Sequence, residues 1–99
     1  MLDFYIIKDD QVKPNHPEKL GLEFVGGLDD KTFDNLQNKG IIDGRFDYYS
    51  DFRLGTVLIK QIRQTIIQKQ LQADNDVKKL TKLFDTADKK QSGLIAYGD

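Results

Sequence analysis

The chain has 99 residues, no cysteine, a net charge of −1 and a pI of about 5.8. That length suits one domain with one core, and the missing cysteines exclude disulfides, thiol catalysis and cysteine-held zinc. The near-neutral charge offers no global field toward nucleic acid or anionic lipid, and no apolar run approaches the ~20 residues that span a bilayer.

Charge is nevertheless uneven, with a net of −4 over residues 1–53 and +3 over residues 54–99. The first seven residues include Asp3 and no basic leader, so no secretory signal is expected and a cytoplasmic location is the default.

Residues 2–8 form the first expected strand, rich in Phe, Tyr and Ile and stopped by Asp9 and Asp10. Leu2, Phe4 and Ile6 share one face, and Tyr5 and Ile7 the other, so both faces should be covered. Residues 9–21 predict a loop, because Pro14 and Pro17 bracket Asn15 and His16 and each biases its predecessor away from helix. His16 is the only histidine and has no partner for catalysis in its neighbourhood. Residues 22–25 predict a short second strand that turns at Gly26 and Gly27. Those glycines match no phosphate-binding spacing, and Asp29 and Asp30 would repel an anion there.

Asp29 is placed to cap a helix over residues 30–39, with Leu28 and Phe33 as a hydrophobic staple. Gly40 suits a left-handed stop, followed by Ile41 over Leu36. Residues 41–49 fit either an extended connection or a third strand. Ser50 then predicts an N-cap, with Asp51 in the first turn, Tyr49 stapled to Leu54, and a long helix over residues 51–71. Its stripe would be Leu54, Leu58, Ile62 and Ile66, widened by Val57, Ile59 and Ile67. Asp74 caps a last helix with Val77, Leu80, Leu83, Phe84 and Ala87 inward and Lys78, Lys79, Lys82, Lys89 and Lys90 mostly outward. Gly93 ends it, and residues 94–97 form a closing strand. The expected fold class is α+β: a small sheet of two to four strands including both chain termini, with three helices packed mainly on one face.

Chemistry concentrates in residues 45–53, where two arginines, two aspartates and four aromatics precede a helix start. Tyr and Arg dominate binding hot spots, and an Asp–Arg pair can set a guanidinium to fork an anion. Structural duties account for part of the stretch, with Phe46 and Phe52 as core anchors and Arg45 or Arg53 paired to Asp47. Arg45, Asp47, Tyr48, Tyr49 and Arg53 are the expected partner-binding residues, and Arg45, Asp47, Tyr48 and Arg53 are those that fold needs explain least. No catalytic constellation, metal set or cofactor motif is present. A calcium loop counted from Asp88 would place Lys90, a cation, where the third position needs an oxygen ligand. The lysines of the last helix are interleaved with Asp76, Asp85 and Asp88, as on an ordinary solvated face.

Residues 39–43 (Lys-Gly-Ile-Ile-Asp) running into 45–53, together with the terminal Gly-Leu-Ile-Ala-Tyr-Gly-Asp at 93–99, resemble small uncharacterised bacterial proteins of the immunity-protein kind. The resemblance covers about a quarter of the chain and transfers no functional residue. It implies a bacterial protein that neutralises a partner. The expected function is a non-enzymatic protein-binding module, suited to a basic partner by the acidic first half. The alternatives are a small ligand-binding or enzymatic domain built on residues 45–53, and a self-associating structural protein.

Overall fold

A computed structural model describes residues 1–15 and 21–98. His16, Pro17 and Asp99, named above, lie outside the described residues. The order is β1 (Leu2–Ile7), β2 (Phe24–Leu28), α1 (Asp30–Asn38), β3 (Phe52–Leu54), α2 (Thr56–Gln68), α3 (Asn75–Lys89) and β4 (Gly93–Tyr97). The strands form one antiparallel sheet in the order β2-β1-β4-β3, so the strands nearest the two ends of the chain pair at its centre. The fold is α+β, with the helices covering one face.

That face follows from the alternation of β1. Leu2 and Phe4 join Leu54, Leu94 and Ala96 in a core sealed by Phe33 and Leu36 of α1, Ile59, Ile62 and Ile66 of α2, and the whole expected stripe of α3. The opposite face is covered as well, by chain rather than by helix. Ile7 and Ile95 are buried there, outside the helix-side core. The segment leading away from β1 crosses above them. Arg53 holds this cover down, donating to the carbonyls of Gln11 (2.6 Å) and Lys8 (2.8 Å), while the Tyr97 hydroxyl donates to the Pro14 carbonyl at 2.9 Å.

Two expected boundaries are corrected. Gly26 and Gly27 lie inside β2 and make no turn. The pairing with β1 slips there, with Phe4 opposite Gly26 and Tyr5 opposite Phe24, so Val25 is an extra residue in a bulge. Gly26 has φ of +151°, and a Cβ on it would come within 2.9 Å of the Leu83 side chain, so the missing side chain lets α3 pack down onto β2. The second correction concerns residues 50–55. They do not begin a helix; Phe52–Leu54 is an edge strand beside β4, and α2 starts only at Thr56.

The helix ends are built alike. Asp29 caps α1 by accepting from the Thr32 N–H at 2.8 Å, and Asp74 caps α3 by accepting from Asp76 and Val77. Gly55 supplies no side-chain cap to α2, and Asp9 does so from the far end of β1, accepting from the Thr56 N–H at 3.0 Å and from its hydroxyl. Each helix ends in a Schellman stop: Ile41 N–H to Leu36 carbonyl, Leu71 to Ile66 and Ser92 to Ala87. The left-handed residue is Gly40 in the first, but Gln70 and Gln91 in the others. No helix among the described residues is long and apolar enough to cross a membrane.

Candidate functional site

Residues 43–50 form two successive turns, each opened by an aspartate. The Phe46 N–H donates to the Asp43 carbonyl and the Ser50 N–H to the Asp47 carbonyl. In each turn the aspartate carboxylate also accepts from the N–H two residues on, Arg45 at 2.8 Å and Tyr49 at 3.0 Å. These are Asx turns, in which a short carboxylate replaces a backbone acceptor. Gln37 of α1 donates from beneath to the Asp43 and Phe46 carbonyls. This settles residues 41–49 as a fixed connection of turns, with the strand following it.

An aromatic ladder runs from the core to this loop. Phe52 meets Phe4, Phe33 and Phe46, with ring centroids 6.3, 6.1 and 4.8 Å away. Phe33 meets Tyr48 at 5.8 Å, and Tyr48 meets Tyr49 edge-on at 5.1 Å. Phe46 and Phe52 are the expected anchors, half-buried against the core. Tyr49 is not stapled to Leu54; it is the outermost rung and 65% exposed. Burial pushes the Tyr48 hydroxyl above its ordinary pKa, and the negative charge of Asp30 and, more weakly, Asp29 adds to that.

The five expected site residues do not converge. Arg53 points to the face away from the helices and is engaged by backbone carbonyls. Asp47 accepts from Tyr49 N–H and, at 3.2 Å, from the Ser50 hydroxyl, and pairs with neither arginine. Arg45 is exposed, its guanidinium 4.9 Å from the Phe46 ring centroid. Asp51, expected in a helix turn, instead accepts from the Gly98 N–H and pairs with Lys13 at 3.1 Å. Fold duties therefore absorb Asp47, Tyr48 and Arg53. Arg45 and Tyr49 remain, presented on a rigid loop.

A second surface escaped the sequence. Between α2 and α3 runs a groove of about 430 Å3, floored by Ile66 and Ile67 and rimmed by Arg63, Lys78, Thr81 and Lys82. Ile67, counted toward the buried stripe, is 61% exposed, as Val57 is at 67%. The signal was available: both fall off the four-residue spacing of Leu58, Ile62 and Ile66. No group of acidic residues and histidines among the described residues could hold a metal ion. Comparison of the chain with protein-family models, with curated proteins and with solved structures found no match.

Proposed function

We propose that this chain is a non-enzymatic protein-binding module that docks a basic partner through the surface centred on Tyr49. The observation that carries the reading is the exposure of Tyr49 at the end of an aromatic ladder rooted in the core. A large amphipathic ring held by a turn-locked backbone loses little entropy on binding. The surrounding charge supports the sign of the partner. Asp29 and Asp30 at the start of α1 act on neighbouring Tyr48, and exposed Asp43 and Asp47 open the two turns. Arg45, over Phe46, adds a second hot-spot side chain at the same loop.

The same geometry speaks against the alternative of a catalytic cluster, because the Asp47 carboxylate and the Arg53 guanidinium are already committed to different parts of the fold. Neutralisation of the partner is the finer form of the proposal and rests on the resemblance to immunity-type proteins. The test is affinity capture from host lysate with wild-type chain and with Tyr49→Ala. The wild type should retain a basic protein that the variant loses, eluting with salt, while the melting temperature stays within about 2 °C because the ring is mostly in solvent. Identical retention by both proteins would sink the reading.

A further inference from the structure

We infer that the α2–α3 groove is a second docking site whose occupant is an acidic amphipathic helix of a partner protein. It lies apart from the Tyr49 surface and rests on different residues. The floor supplies the apolar half. Ile66 is buried and its neighbour Ile67 is 61% exposed, so apolar surface reaches solvent at the seam between the two helices. A third helix laid on such a seam buries it by placing its own side-chain ridge in the groove, anchored at i, i+3, i+4 and i+7. The trough lies open to solvent, which suits a helix face better than a small ligand, whose site normally encloses most of its surface.

The rim supplies the charge. Arg63, Lys78 and Lys82 line the groove, and no carboxylate among the described residues does. The Arg63 guanidinium bridges Asp85 at 3.0 Å and Asp88 at 2.7 Å, which ties α2 to α3 and leaves little of its charge free. Lys78 and Lys82 differ. They stand one turn apart on α3, exposed, with no ion pair among the described residues. Their neighbours Lys79 and Lys90 have Asp76 and Glu23. A helix with leucines on one face and glutamates beside them matches floor and rim together, whereas a basic helix meets repulsion on the rim. A second copy of the chain is a poorer match: its acidic helix α1 already buries Phe33 and Leu36 in its own core.

The experiment titrates the isotope-labelled full chain with three synthetic helical peptides, read by backbone amide shifts. One has leucines at i, i+3, i+4 and i+7 flanked by glutamates, one has lysine flanks, and one has the glutamates with the leucines scattered around the helix. The first should move the amides of Ile66, Ile67, Lys78 and Lys82 and bind about tenfold or more tighter than the second. Its binding should weaken several-fold between about 50 and 500 mM salt. Lys78→Glu with Lys82→Glu, at exposed positions, should invert the preference, and Tyr49→Ala should leave peptide binding unchanged. Equal binding of the first two peptides, equal binding of the scattered one, or no movement at the groove would overturn the inference. So would groove amides that move with protein concentration alone, the sign of a second copy seated there. Each failure leaves the Tyr49 capture result standing, and the reverse holds too.

Discussion

Gln70 and Gln91 hold φ of +57° and +51°, where an L side chain meets its own backbone and glycine does not. Replacing either by glycine should raise stability by about 1 kcal/mol, seen as a higher urea midpoint with an unchanged slope. Gly40 already has this advantage, which is why the end of α1 was legible and the ends of α2 and α3 were less so. A glutamine carries no left-handed signal of its own; the helix hydrogen bonds impose the conformation on it. The two Asx turns were legible in principle, since Asp43 and Asp47 each open a four-residue turn. Charge pairing competed for the same aspartates and hid them, as it hid the structural engagement of Arg53.

Among the elements, the start of each of the three helices is capped by an aspartate whose carboxyl is held below its ordinary pKa. The Thr56 hydroxyl and N–H lower Asp9, the Thr32 N–H lowers Asp29, and the Lys39 ammonium, with the Val77 N–H, lowers Asp74. A carboxyl depressed in the folded state adds stability above its unfolded value and loses it as pH falls through the folded one. Stability should therefore fall as pH drops below about 4, the ordinary aspartate range. Asp9→Ala should cost about 1 kcal/mol at neutral pH by uncapping α2, and should flatten that acid dependence; urea melts across the pH range check both. The α1 and α3 starts were legible because cap and helix are adjacent in sequence. The α2 start was not, because its cap arrives from the far end of β1 and Ser50 offered a local counterfeit. The three residues of β3 are too few to show a period of two against the helical spacing that follows.

In the whole molecule, the sheet has helices on one side and a strap of chain on the other. The class and the pairing of the two ends were legible from strand-like runs at both ends of the sequence. The strap was not, since Pro14 and its neighbours show only that the segment is irregular. Arg53 and Tyr97 hold it across the sheet face, with Asp9 on Thr56 and Lys13 on Asp51 as further ties. Arg53→Ala should therefore loosen the strap before the sheet. Amide exchange at residues 8–13 should speed up by tenfold or more, and global stability should drop by about 2 kcal/mol, the scale for losing hydrogen bonds from a charged donor. Equal acceleration across the helices would show instead that the strap opens only with the whole domain.

The central pairing of β1 with β4 has a consequence for synthesis on the ribosome. Strand β1 is made early and β4 after every helix, so two edges of the sheet and three amphipathic helices exist before the strand that joins them. Closing that long a loop costs entropy that only the finished contact repays. Until it does, the apolar faces of the helices lack half of their partner surface, and the nascent chain is most vulnerable to aggregation or a chaperone's grip in the interval just before β4 emerges.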